Sequence, residues 1–100
     1  WKADAIKSVP SLYQRMKHVI EVPEYDPENG LPLFWDTGFE ITVRVVDEAV
    51  VVSANPAGLR SLARHLLLLA QETTPVGQHI HLDDLTSLED GSIEIVLERT

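Results

Sequence analysis

The sequence predicts an α+β domain: a four-stranded, mainly antiparallel sheet with one helix packed on one face and an additional N-terminal helix, in the order α-β-β-α-β-β. Two observations carry that prediction. Apolar residues alternate with polar ones in three of four β-prone stretches, the period of strands that bury a single face. Between the second and third stretch lies a run with helical spacing and a clear start signal. A chain of 100 residues supplies one core and no second domain. Residues 1–38 are therefore assigned to the N-terminal helix and an acidic loop, and residues 39–100 to a ββαββ core.

Ile6, Val9, Tyr13, Met16 and Ile20 fall on one helical stripe, with Leu12 and Val19 beside it. Pro10 suits a first turn and not an interior, which predicts a helix from Val9 or Pro10 to Ile20. Such a helix would cover a sheet edge, the open sheet face or a second copy of the chain. From Glu21 to Gly38 the periodicity is lost. Pro23, Pro27, Asn29, Gly30, Pro32 and Gly38 punctuate an acidic loop whose Glu21, Glu24, Asp26, Glu28 and Asp36 have no basic neighbour in sequence. Leu33, Phe34 and Trp35 are expected to tuck one part of it against the fold, Phe34 and Trp35 as core, since large aromatics are buried on average. With Tyr25, the alternative is a set of anchors at an interface.

Phe39, Ile41, Val43 and Val45 alternate with Glu40, Thr42 and Arg44, and Asp47-Glu48 turns the chain into the β-branched run Ala49 to Ala54. The two stretches read as a hairpin. Asn55 is a good N-cap and Pro56 fits the first helical position. Leu59, Leu62, Ala63, Leu66, Leu69 and Ala70 then form one apolar face, and Arg60, Ser61, Arg64, His65, Gln71 and Glu72 the other. Leu67 and Leu68 widen the stripe, which predicts a helix covered on two sides. Gly58 reads as a close-packing or capping residue rather than an anion site. In Gln78–Asp83, Ile80 and Leu82 point one way while His79, His81 and Asp83 point the other. In Ser92–Glu98, Ile93, Ile95 and Leu97 face in, and Glu94, Val96 and Glu98 face out. The connection Asp83–Gly91 is polar, with Leu85 and Leu88 as anchors.

Charge narrows the function. The net charge is −8, and residues 1–20 carry Lys2, Lys7, Arg15 and Lys17 against Asp4 alone, so the remainder is more acidic still. Binding to a phosphate backbone or an anionic membrane needs clustered Lys and Arg, which disfavours nucleic acid and membrane as partners. A basic protein is the natural complement, although net charge also serves solubility. There is no cysteine, which excludes disulfides and thiol chemistry. No signal-peptide pattern opens the chain, and the longest apolar run, Leu66–Ala70, is far short of the roughly 20 residues that span a bilayer. A cytoplasmic location is expected.

His79-x-His81 is the sharpest local feature. On a strand that spacing puts both imidazoles on one face, roughly 6.5–7 Å apart at the backbone, with Asp83 next along. His79, His81 and Asp83 are weak candidates for metal ligands, since zinc sites need three or four ligands and a supporting shell. The alternative is a polar pair on an exposed or partner-covered sheet face. Glu40, Thr42, Arg44, Glu94 and Glu98 are expected on that same face. No nucleophile motif and no phosphate-cradling glycine loop occurs, and Ser53 and Ser61 lack a recognisable elbow. Neither an enzyme nor a cofactor is expected. Asp83, Asp84, Glu89, Asp90, Glu94 and Glu98 form a segment free of Lys and Arg until Arg99. Together with His79 and His81 they are the candidate partner-binding residues, a surface able to steer a basic protein in.

Ala54-Asn55-Pro56-Ala57-Gly58-Leu59-Arg60-Ser61-Leu62-Ala63-Arg64-His65-Leu66, followed by Leu69-Ala70-Gln71, resembles bacterial polymorphic-toxin immunity proteins of family 32. Gly77 ahead of His79-Ile80-His81-Leu82-Asp83, then Gly91-Ser92 and the apolar terminal strand, strengthen the likeness, which covers about Phe39 to Arg99. The resemblance implies a small antidote that binds a cognate toxin and masks its active site. The acidic surface adds the expectation of a basic toxin such as a nuclease. Two other readings stand beside it: a small metal-binding protein or enzyme using the His-x-His-x-Asp strand, and a self-associating structural domain, with a homodimer left open by the wide apolar stripe.

Overall fold

A computed structural model of the chain describes residues 12–100. Its order is β1 (Ile41–Val46), β2 (Ala49–Ala54), α1 (Pro56–Ala70), β3 (His79–Leu82) and β4 (Ile95–Glu98). The class is α+β.

The hairpin forms where the alternation places it. β1 and β2 pair antiparallel, from Ile41 opposite Ala54 to Val46 opposite Ala49. Asp47 and Glu48 turn the chain with positive φ at both residues, 48° and 67°, the twist that a two-residue hairpin turn requires. Ile41 and Val43 are fully buried, while Val45, Val50 and Val52 on the same face are exposed. The helix covers only the half of the hairpin nearest Asn55.

The start of α1 is also as expected. The Asn55 Oδ1 accepts from the Gly58 amide at 2.8 Å and the Glu40 amide at 3.0 Å, and its Nδ2 donates to the Gly38 carbonyl at 2.8 Å. One side chain satisfies an orphan helix donor and ties the helix to the mouth of the hairpin. A Cβ on Gly58 would lie 2.7 Å from the Glu40 carbonyl oxygen and 2.9 Å from Ile41 Cγ1. Glycine there is what lets helix and hairpin touch. At the other end the Thr74 hydroxyl donates to the Leu68 carbonyl, and Arg99 Nη1 donates to the Leu69 and Gln71 carbonyls, all at 2.8 Å. That puts a cation on the negative end of the helix dipole.

The buried face of α1 is rotated from the expected one. Gly58, Ser61, His65, Leu68 and Leu69 are buried, whereas Leu59, Leu66 and Leu67 are exposed. The cause is the acidic loop, which packs on the side read as polar. The Ser61 hydroxyl donates to the Ala57 carbonyl and accepts from the Asp36 amide, and Trp35 meets His65 edge-on at 4.4 Å and stacks on Phe39 at 4.5 Å. The helix is covered on two sides, as expected, but polar side chains line the second. Trp35 is core-packed and Phe34 is not: it stays exposed.

The expected four-stranded sheet is instead two separate two-stranded antiparallel sheets, β1-β2 and β3-β4. The stretch 89–93 lies along β1 between them: the Glu89 amide donates to the Ile41 carbonyl at 2.8 Å, and the Ile93 amide to the Val43 carbonyl at 2.9 Å. Acceptors two residues apart on β1 thus meet donors four residues apart, which no ladder can match. The surplus folds into a turn, with Gly91 at φ 82° and the Ser92 amide bonded to the Glu89 carbonyl. The Ser92 hydroxyl takes the Val43 amide in place of a backbone partner. Strand pairing therefore starts at Ile95 rather than Ser92, and Ile93 is exposed rather than inward.

The expected N-terminal helix is a second correction. Residues 12–20 are not helical, and Leu12, Tyr13, Met16 and Val19 are exposed. A helix this short draws its stability from burying an amphipathic face, and here no surface covers that stripe among the described residues. The expected start at Val9 or Pro10 lies outside them. The core itself is single: Ile41, Val43, Leu69, Ile80, Leu82 and Leu88 form one cluster, flanked by Leu31, Leu33 and Trp35 from the acidic loop. Of the two expected anchors in the 83–91 connection, Leu88 is buried and Leu85 is exposed.

Candidate partner-binding surface

β3 and β4 build the outward face predicted for them. Ile80 and Leu82 are buried, so His79 and His81 project to solvent, and the register sets His79 opposite Glu98 and His81 opposite Val96. The two rings meet edge to face with centroids 4.9 Å apart. His79 Nδ1 lies 3.0 Å from the Gly77 carbonyl, and His81 Nδ1 lies 3.4 Å from Glu94 Oε2. A protonated His81 would pair with that carboxylate.

The next residue of that series, Asp83, is held in the loop that follows. Its Oδ1 accepts from the Leu85 and Thr86 amides and from the Thr86 hydroxyl, closing the turn that follows β3. Among the described residues, no group of three or more His, Asp or Glu is placed to hold a metal ion. Glu40, Thr42 and Arg44, expected beside the histidines, belong to the other hairpin, where Arg44 donates to the Ser53 hydroxyl at 3.0 Å.

Asp84, Glu89, Asp90, Glu94 and Glu98 are exposed. Asp84 accepts from the Gly91 amide at 3.3 Å and so pins the loop. The next cation in sequence, Arg99, turns inward to the helix carbonyls and leaves this surface acidic. Arg60 and Arg64 are likewise engaged: Arg60 Nε lies 2.9 Å and Arg64 Nη1 2.8 Å from the Asp36 carboxylate. Those two guanidiniums hold the Asp36 carboxyl below the usual carboxylate range. Sequence spacing gave no sign of this cluster, because Asp36 lies 24 residues from Arg60 and further still from Arg64.

Sequence reasoning also missed an apolar surface on the hairpin, where Val45, Val50 and Val52 are exposed on one face beside the acidic turn. The alternation had marked Val45 as core.

No helix among the described residues is long and apolar enough to cross a membrane. A family model for immunity protein 32 matches residues 49–100, which takes in β2, α1, β3 and β4 and leaves out β1. No curated protein and no solved structure matches the chain. The cap at Asn55, the helix and the His-x-His strand that first carried the resemblance all lie in the matched half. The chain belongs to the immunity protein 32 family.

Proposed function

We propose that the chain neutralises its cognate toxin by binding and not by catalysis, laying the face of His79, His81, Glu94 and Glu98, with Asp84, Glu89 and Asp90 beside it, over the toxin's active site. The toxin we infer is a basic one, of the kind a nuclease presents. A nuclease must collect phosphate charge with clustered Lys and Arg, and an inhibitor that occupies such a surface needs carboxylates facing outward. One observation carries the reading: the carboxylates of residues 84–98 are exposed while Arg99 is bonded into the helix end. Asp83 supports the surface by holding its loop.

The test is direct. Co-expression with its cognate toxin should restore growth, and the purified pair should bind with a Kd that rises about tenfold or more from low to high salt, as steering is screened. Reversing charge with Glu94→Lys and Glu98→Lys should weaken binding by a similar factor. Affinity indifferent to both salt and charge reversal would overturn the acidic-face reading.

A further inference from the structure

We propose that the free edge of β2 takes up an extended segment of the toxin as a third strand of the hairpin, and that this segment is apolar on one face with Lys or Arg at the end that meets the Asp47-Glu48 turn. The proposal deepens the toxin-binding reading and rests on it for the partner's identity.

The ladder shows which groups are available. The Asn55 amide donates to the Glu40 carbonyl, so Glu40 and Asn55 form a hydrogen-bonded pair. In an antiparallel ladder such pairs alternate with non-bonded ones, which makes 42/53, 44/51 and 46/49 bonded and 41/54, 43/52 and 45/50 non-bonded. The backbone groups of Ile41, Val43, Val50 and Val52 therefore point away from the hairpin. On the β1 side they are used: Ile41 and Val43 bond Glu89, Ser92 and Ile93. On the β2 side Val50 and Val52 have no backbone partner among the described residues.

The same two residues are 60% and 42% exposed, on the face shared with Val45. An incoming strand would thus meet unpaired amides and carbonyls together with uncovered valine side chains, the two elements of strand addition. Exposed edges are ordinarily blunted by charge, proline or a bulge. Ala49–Ala54 contains no charged residue, no proline and no glycine, and it pairs without a bulge.

Charge selects the occupant. Asp47 and Glu48 stand at the turn end of the edge. A second copy would bring the same acids and a net charge of −8 against its like, which opposes self-pairing. A strand with Lys or Arg at the end nearest the turn meets complementary charge there.

Amide hydrogen exchange on the chain alone and bound to a catalytically inactive form of its cognate toxin tests this. The Val50 and Val52 amides should slow at least tenfold in the complex, and Val50→Lys with Val52→Lys should raise the Kd at least tenfold while leaving the Tm of the free chain within a few degrees. A complex that forms with unchanged exchange at Val50 and Val52 overturns strand addition and leaves toxin binding standing. No complex at all overturns both. Concentration-dependent protection in the free chain assigns the edge to a second copy, and concentration-independent protection to the chain's own cover; either result overturns the proposal.

Discussion

At Gly58 the absence of a side chain is itself the contact. A methyl group there would meet a backbone oxygen at 2.7 Å, and relieving it means moving the helix off the hairpin. Overpacking of this kind costs about 1–3 kcal/mol and outweighs the better helix propensity of alanine, about 1 kcal/mol. Gly58→Ala should therefore lower the urea midpoint. His65 acts through its proton. It is fully buried, neither ring nitrogen has a partner among the described residues, and burial, then the neighbouring Arg64, pushes its pKa down to about 4. The unfolded chain takes up that proton from about pH 6.5 and the native chain only near 4. Stability is thus full above pH 6.5 and is lost as pH falls toward 4, by about 3 kcal/mol in all. His65→Leu removes that proton uptake and adds no buried polar atom. Urea midpoints at pH 7 and 4.5 should differ by more in the native chain than in the variant, and equal differences would refute the assignment.

Among the elements, the hairpin turn has room for improvement. Glu48 sits at φ 67°, a conformation that costs a non-glycine L-residue roughly 1–2 kcal/mol. Glu48→Gly should raise stability by about 1 kcal/mol, seen as a higher denaturant midpoint at unchanged slope. The strands and the cap were legible because each rests on local chemistry: the alternation of Ile80 and Leu82 with His79 and His81, the Asp47-Glu48 turn, the Asn55-Pro56 start. The buried face of α1 was not. Leu66 to Leu69 are consecutive and point nearly all round the helix, so the choice fell to what packs on it. That partner is a loop without periodicity, joined to Ser61 and His65 over long sequence separations. The strand start at Ile95 was illegible for a related reason, since Ser92 mimics a backbone partner with its hydroxyl.

For the molecule as a whole, charge pulls stability and binding in opposite directions. A net charge of −8 repels itself in the compact state, so added salt should raise the Tm of the free chain while weakening its hold on a basic partner. Thermal melts and titrations over one salt series would show both trends, and a parallel fall in both would count against the electrostatic account. The candidate surface was half legible. Glu94, Glu98, His79 and His81 share a face because strand period and register agree. Asp83 carries the right chemistry, but its position one residue past β3 commits its carboxylate to the turn. The valine edge of β2 stayed hidden because alternation marks a core face without saying how far the helix reaches over it.

The attachment of the acidic loop to α1 bears on how this molecule can diversify. Gln71 bonds the Tyr25 amide and the Pro23 carbonyl, Arg64 bonds the Glu21 and Phe34 carbonyls, and Ser61 bonds the Asp36 amide. The helix thus grips the main chain of the loop and, apart from Asp36 and Trp35, few of its side chains. A segment held by its backbone tolerates changes of identity at its exposed positions. Glu24 and Glu28 can change without any matching change in the helix, so the outer surface of that stretch can vary while the fold beneath stays the same.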